Sequence, residues 1–265
     1  MKKKLILTMG PKGGIGKSTI VRAMWDYLRT LKKPDGSPVR VASYDTDPNV
    51  GQFAATCGLK NKDGKYDPKV NRLNPTDGVA TFDARQDGDS FSDALDSDAD
   101  VILMDPPGGL MDFSHVFGTT SAFKSQFSKE GYEIIIMIPI SQVEASALGI
   151  KMIMDIWGAG VKFVVVKNHN FGTDEDFYCF DGELAATLGY PEKQVIAAGG
   201  MVIDFPALDH GAYGLIDRWK IPFADAVPKL LDMRGELKGW RVKLAKLETF
   251  IQEAAAEFDK VNILS

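Results

Sequence analysis

Apolar residues along the chain follow two patterns that alternate from one end to the other. Short uninterrupted apolar runs are typical of strands buried on both faces, and longer segments show helical spacing. The runs predict strands at 5–9, 39–44, 101–104, 133–140, 161–167 and 194–198, with one possible short strand at 70–73. Helices are predicted at about 17–31, 111–129, 143–156 and 174–189. This alternation predicts an α/β fold whose mostly parallel sheet carries helices on both faces.

The C-terminal segment carries an apolar stripe at helical spacing. The stripe consists of Leu237, Trp240, Leu244, Leu247, Ile251, Ala254 and Phe258. It predicts a helix at about 236–260 that packs on the rest of the protein. The acidic residues Glu253, Glu257 and Asp259 lie at the end of the stripe and disfavour a membrane-surface role. Without a convincing linker or internal repeat, residues 1–265 are predicted to form a single domain.

The composition of the chain excludes several classes of protein. The chain has 265 residues, 45% of them hydrophobic, and a net charge of −5, so it lacks the overall basic character of many nucleic-acid-binding proteins. Cys57 and Cys179 are far apart and neither has a CxxC partner, which excludes a disulfide framework and a cysteine metal cluster. No apolar segment reaches the ~20 residues of a membrane span. A cytoplasmic location is therefore expected.

The most informative segment is the glycine-rich stretch at 10–19, which contains the pattern G-x-x-x-x-G-K-[ST]. It lies between a predicted strand and a predicted helix, as a P-loop does. Glycines allow backbone N–H groups to converge on phosphate oxygens, and the helix N-terminus favours the same anion. The predicted nucleotide-binding residues here are Gly13, Gly14, Ile15, Gly16, Lys17, Ser18 and Thr19. Lys17 would reach the β- and γ-phosphates of ATP, and the Ser18 hydroxyl would ligate Mg²⁺. The fold prediction becomes a single P-loop NTPase domain.

Three carboxylates follow predicted strands. Asp45 and Asp47 come directly after the strand at 39–44, and Asp105 ends the run at 101–104. A carboxylate near the γ-phosphate can position water or hold a metal-bound water. An apolar strand that ends in Asp is the Walker B arrangement, in which the carboxylate holds Mg²⁺ through water. The sequence thus predicts Asp105, with Ser18, as part of a magnesium site.

The loop K-G-G-I-G-K-S-T resembles the deviant Walker A motif of the ParA/MinD family of ATPases, because Lys12 precedes Lys17 by five residues. The resemblance implies an ATP-dependent homodimer in which Lys12 reaches the partner's ATP. The stretch D-T-D-P is similar to the family's D-x-D-P, which implies that Asp47 orients the attacking water and Asp45 lies near Mg²⁺. The segment at 105–108, D-P-P-G, resembles the D-x-P-P switch but places Pro106 directly after Asp105.

Weaker matches to the family follow in the same order along the chain. The resemblance implies that Asn168 contacts the adenine and that Pro206 lies in a loop that closes over the base. Together these matches predict Lys12, Lys17 and Asp47 as catalytic residues. The predicted metal site consists of Ser18, Asp45 and Asp105. The resemblance extends over roughly residues 4–215, and 58–98 shows no usable match.

The resemblance implies a ParA-like partition ATPase whose ATP-bound dimer binds nonspecific DNA and is stimulated by an adaptor protein. Candidate DNA contacts are Arg218, Lys220, Arg234, Lys238 and Arg241, the last three on one face if the C-terminal helix extends back to 234. The alternatives are a MinD-like positioning ATPase and an ATP-dependent small-molecule ligase of the same fold. A basic amphipathic tail is absent, so membrane binding is not expected. Lys12 favours the dimeric switch over the ligase.

Overall fold

A seven-stranded parallel sheet forms the centre of the protein, whose computed structural model describes residues 2–11, 13–47, 49 and 51–265. The strands are β1 Lys3–Thr8, β2 Val41–Asp45, β3 Ala80–Thr81, β4 Val101–Asp105, β5 Tyr132–Ile140, β6 Lys162–Asn168 and β7 Met201–Phe205. Their order across the sheet is β3-β2-β4-β1-β5-β6-β7. The predicted α/β P-loop NTPase fold, with a mostly parallel sheet, is confirmed.

Helices connect the strands and cover both faces of the sheet. They are α1 Lys17–Leu28, α2 Gln52–Cys57, α3 Pro68–Leu73, α4 Gly88–Asp96, α5 Ser114–Phe117, α6 Thr120–Lys129, α7 Glu144–Trp157, α8 Pro191–Ala197, α9 His210–Trp219, α10 Phe223–Asp232 and α11 Trp240–Val261. Among the described residues, no helix is both long enough and apolar enough to cross a membrane.

Alternate residues of β1 supply the two halves of the core. Ile6 packs in one apolar cluster with residues of α1, α9, α10 and α11. Leu5 and Leu7 point to the opposite face, into a cluster with residues of α4, α6 and α7. Because both faces are covered, every residue of β4 is buried. That double burial explains the uninterrupted apolar runs in the sequence.

The sheet order brings three strand ends together. β4 pairs with both β1 and β2, and in the second pair Asp105 lies directly opposite Asp45. The glycine-rich loop leaves β1 at the same edge. Parallel strands end on the same side, so the loop and both carboxylates meet at one edge of the sheet.

Two strand predictions, at 70–73 and 194–198, are wrong. Residues 70–73 belong to α3, which begins at Pro68 with the Asp67 carboxylate accepting hydrogen bonds from the N–H groups of Lys69 and Val70. Residues 194–198 fall mostly in α8, which begins at Pro191, and the strand follows at Met201–Phe205. In both cases a short apolar run was ambiguous, and the proline at the first helical position was the better signal.

The helices predicted at 174–189 and at about 236–260 also differ from the structure. The segment 174–189 forms two short 3-10 helices, Asp174–Phe177 and Ala185–Leu188, rather than one helix. The last helix begins at Trp240, after Gly239 with a φ of 71°, and residues 233–239 form turns. Arg234 and Lys238 therefore do not share a helical face with Arg241, so the predicted common face of these three residues is wrong.

Residues 58–79, which resemble no known motif, are organised by one buried amide. The side chain of Asn71 is fully buried and makes four hydrogen bonds. Its Oδ1 accepts from the N–H groups of Leu59 (2.8 Å) and Val79 (2.9 Å). Its Nδ2 donates to the carbonyl oxygens of Leu59 (2.8 Å) and Asp67 (2.7 Å). This amide holds the segment beside the short edge strand β3.

We expect Asn71→Ala to lower the free energy of unfolding by about 2–4 kcal/mol, because four backbone groups lose their partner and the buried ones stay unpaired. Asn74→Ala is the matched control, since its Nδ2 makes one bond, to the Val70 carbonyl, at a partly exposed position. Urea denaturation measures both changes. Equal, small losses in the two variants would contradict the assignment of Asn71 as the organising residue.

Candidate functional site

The glycine-rich loop joins β1 to α1 in a left-handed backbone conformation at two positions. Gly14 has a φ of 80° and Gly16 a φ of 85°, values that L side chains rarely adopt. A Cβ on Gly16 would also collide with the Asn168 side chain. Gly16 caps α1 without a side-chain hydrogen bond, so the first N–H groups of the helix remain available to a ligand. This is the backbone geometry of an anion site.

The loop forms the floor of a cavity of about 660 Å³. That volume lies within the range of small-molecule and cofactor sites. At the loop end the lining residues are Gly13, Gly14, Gly16, Lys17, Ser18 and Thr19. Asp45, Asp47, Asp105, Pro106 and Gly108 line one wall, and Asn168, Asn170, Phe171, Leu208, His210 and Tyr213 line the opposite part. Lys17 thus provides positive charge at the floor of the cavity. One wall is acidic, and the other carries amide and aromatic side chains.

The acidic wall is held by hydrogen bonds from the loop and from the backbone. Ser18 Oγ donates to Asp105 Oδ2 at 2.7 Å. Asp45 accepts from the N–H groups of Ala54 at 2.9 Å and Asp47 at 3.3 Å. Asp45 and Asp105 are buried, with exposed fractions of 2% and 4%. Two carboxylates therefore sit close together in a site with little solvent.

Burial raises the pKa of Asp105 above its usual range, and the negative charge of Asp45 raises it further. The hydrogen bond from Ser18 and the positive charge of Lys17 act in the opposite direction. Burial likewise raises the pKa of Asp45, against the lowering effect of the Ala54 and Asp47 N–H groups. Burial, more than the neighbouring charges, therefore disfavours ionisation of both carboxylates together.

These residues fit a divalent cation. Among the described residues, the buried Oδ1 atom of Asp105 has no hydrogen-bond partner, while Oδ2 is bonded to the Ser18 hydroxyl. Carboxylate and hydroxyl oxygens are the ligands that Mg²⁺ prefers in phosphate sites. Ser18 and Asp105 could hold Mg²⁺, with Asp45 behind them as a second negative charge.

The segment after Asp105 lies directly against the loop. A Cβ on Gly108 would come within 3.2 Å of the Gly13 Cα and 3.5 Å of Lys17 Nζ, so a side chain there would crowd the loop backbone. The far end of the segment is anchored, because Trp157 Nε1 donates to the Met111 carbonyl at 2.8 Å. A group bound at Lys17 would therefore lie next to the Gly108 backbone.

Side-chain amides tie the opposite wall to the loop. Asn168 Nδ2 donates to the Ile15 carbonyl at 3.1 Å, and Asn168 Oδ1 accepts from the Asn170 N–H at 3.2 Å. Asn170 Oδ1 in turn accepts from the Leu208 N–H at 3.0 Å. The carboxyl ends of β6 and β7 are thereby connected to the P-loop.

The structure brings most of the predicted site residues to this one cavity. The predicted residues that line it are Gly13, Gly14, Gly16, Lys17, Ser18, Thr19, Asp45, Asp47, Asp105 and Asn168. Ile15 is buried beneath the loop. Lys12 lies outside the described residues. Pro206 is not among the described residues that line the cavity.

Sequence reasoning missed several lining residues, among them Gly108, Asn170, Phe171 and Tyr213. Ligands of open parallel sheets bind at the carboxyl ends of the strands, so the positions after β6 could have been found from that rule. The resemblance indicated the segment around Pro206, but it did not identify Leu208 or Tyr213, which follow β7 and line the cavity.

The amino-acid sequence matches no protein-family model and no curated protein. Solved structures do resemble the fold over nearly the whole chain. A putative plasmid partition protein from Borrelia burgdorferi, bound to AMPPNP, is 11% identical with a TM-score of 0.50, covering 98% of this chain and 99% of that one. This likeness shows a common fold, and the predicted resemblance to the ParA/MinD family is confirmed at the level of the fold.

Two further structures have similar coverage. MinD in the MinC:MinD cell division complex of Aquifex aeolicus is 14% identical with a TM-score of 0.48, covering 94% of this chain and 96% of that one. Apo McdA from Cyanothece is 13% identical with a TM-score of 0.47, covering 95% and 99%.

Proposed function

We propose that this protein binds ATP with Mg²⁺ and hydrolyses the γ-phosphate. The observation that carries the proposal is the Ser18–Asp105 hydrogen bond beside the buried Lys17, at the floor of a cavity of about 660 Å³. A P-loop serine bonded to a Walker B carboxylate is the arrangement that NTPases use to hold Mg²⁺ on the phosphates. The AMPPNP bound to the Borrelia partition protein supports a nucleotide in the same fold.

Each residue at the floor has a distinct part in this proposal. The N–H groups of the loop and of the start of α1 bind phosphate oxygens, and Lys17 balances the charge of the β- and γ-phosphates. Bound Mg²⁺, held by Ser18 and Asp105, supplies further positive charge. Asp47 is half-buried in the same wall, and we assign it to orient the water that attacks the γ-phosphate.

Lys17→Ala should weaken ATP binding by about 10- to 100-fold and abolish hydrolysis, because a charge-assisted contact of about 1.5–3 kcal/mol is lost. Lys151→Ala is the control, since this lysine is exposed on α7 and pairs only with Asp155 among the described residues. Titration calorimetry with Mg-ATP and release of phosphate measure the two effects. Normal hydrolysis by the Lys17 variant would refute the proposed active site.

We further propose that ATP drives formation of a homodimer. The sequence resemblance implies that Lys12 acts in trans, and the loop beside it is accessible, because Gly13 and Gly14 are exposed. Two triphosphates that face each other repel, and cations from both subunits would offset that repulsion. A twofold interface makes each such contact twice.

Asp47→Ala should bind ATP without hydrolysing it, and light scattering should then show a stable dimer. The double variant with Lys12→Ala should stay monomeric at the same Mg-ATP concentration while keeping most of its ATP affinity. A double variant with Lys151→Ala controls for loss of a surface charge. A wild-type protein that turns over ATP as a monomer would overturn the dimer and favour a small-molecule ligase.

The proposed role is DNA partition, with nonspecific DNA as the partner of the ATP-bound dimer. Basic residues gather where α9 meets α10, in a patch that we define as Lys60, Arg218, Lys220 and Lys229, of which Arg218 and Lys220 lie at the end of α9. Lys220 also pairs with Asp217 at 3.1 Å. Lys60 Nζ donates to the Lys220 carbonyl, and Lys229 Nζ lies 4.8 Å above the Trp219 ring. Partial burial lowers the pKa of Lys60, and the charge of Lys229 lowers it further. Such clustered charge would favour a polyanion.

The Asp47→Ala protein should bind duplex DNA with ATP but not with ADP. Replacing Lys60 and Lys229 with Ala should reduce the salt dependence of binding by about 1–2 units of slope, since each neutralised phosphate contributes about 0.9. The matched control replaces Lys129 and Lys151, on α6 and α7. Fluorescence anisotropy at several salt concentrations measures the slope, and an unchanged slope would exclude the patch as the DNA contact.

A further inference from the structure

Helix α1 presents two polar side chains to helix α9. Thr19 and Arg22 lie three positions apart on α1 and therefore share a face. They meet Tyr213 and Asp217, which lie four positions apart on α9. Thr19 Oγ1 is 3.3 Å from Tyr213 Oη, and Arg22 Nη1 is 4.0 Å from Asp217 Oδ1. We call these four residues the α1–α9 seam.

Arg22 is the unusual member of the seam. Its side chain is 1% exposed, yet among the described residues neither Nε nor Nη2 has a hydrogen-bond partner. The guanidinium carbon lies 5.9 Å from the centre of the Tyr213 ring and 4.9 Å from that of Phe223. A buried arginine that has only one carboxylate within 4.0 Å among the described residues, that of Asp217, is poorly explained by stability alone, because an apolar side chain would pack there at lower cost.

Tyr213 connects this buried cation to the nucleotide cavity. It lines the cavity, and its hydroxyl contacts Thr19, which follows the phosphate-binding residues Lys17 and Ser18. The β- and γ-phosphates belong at Lys17, so Tyr213 stands at the end of the cavity where the nucleoside belongs. Arg22 lies behind the same ring, on the side of α1.

We propose that Tyr213 contacts the nucleoside part of the bound triphosphate and that Arg22 is a positioning residue that holds the Tyr213 ring in place. This inference rests on the proposed ATP site and extends it to recognition of the nucleoside. The planar guanidinium holds the ring by a cation–π contact. Asp217 adds a negative charge at the other end of the seam, and its Oδ1 also pairs with Lys220 Nζ at 3.1 Å. Arg22 itself contributes nothing to binding of the phosphates.

We therefore expect a change at Arg22 to lower the affinity only for ligands that contain a nucleoside. Arg22→Met, which keeps an unbranched apolar side chain but removes the guanidinium, should weaken Mg-ATP binding about fivefold. Inorganic tripolyphosphate, which has no nucleoside, should bind the variant and the wild type equally well. Arg22→Lys keeps the charge without the planar face and should recover only part of the ATP affinity. Titration calorimetry measures all of these constants.

Tyr213 supplies the second arm of the experiment. In a Tyr213→Ala background, Arg22→Met should cause no further loss of ATP affinity, because the arginine acts through the ring. The matched control is Arg29→Met, which removes an arginine of the same helix stacked on Trp25 at 4.4 Å, away from the cavity. It should leave both ligands unaffected.

Equal losses for ATP and tripolyphosphate, or additive effects of the Arg22 and Tyr213 changes, would overturn the inference. If Arg22→Met does not fold, Asp217→Asn provides the same comparison, since its side chain is 42% exposed and tolerates the change. A wild-type protein that binds no ATP would instead refute the proposed function. Wild-type binding with an unaffected Arg22→Met variant would refute only the positioning role.

Discussion

The pairing of β4 with both β1 and β2 is the constraint on which the site depends. It sets Asp105 directly opposite Asp45 and places both beside the loop that leaves β1. Strands buried on both faces cannot change register without repacking the apolar clusters on each side, so these positions are fixed by the core. The sheet therefore holds the candidate site residues at its edge in fixed positions.

Holding Asp45 and Asp105 in these positions is electrostatically unfavourable. Asp45 and Asp105 are held close together with little solvent, and the pKa of each is raised by burial. Lys17 and the N-terminus of α1 offset part of the negative charge. The remaining imbalance, together with the unpartnered Oδ1 of Asp105, suits a site completed by a cation and a phosphate group.

The two ends of the cavity are built differently. Backbone N–H groups and one lysine form the phosphate end, where glycines at 14 and 16 give the loop its shape. Side chains form the opposite end, where Asn168 bonds the loop and Tyr213 contacts Thr19. Movement of either wall would therefore be transmitted to the P-loop or to α1, since hydrogen bonds connect them directly.

The sequence alone determined the features that short segments of the chain specify by themselves. The loop at 10–19 and the strands that end in Asp45 and Asp105 follow from glycine spacing and apolar runs. Only the tertiary structure decided which distant residues meet. β7 was misplaced because 194–198 and Met201–Phe205 are both short apolar runs, and packing against β6 selects the second as the strand. Tyr213 and the buried Arg22 became visible only then, because their roles depend on how α9 docks on α1.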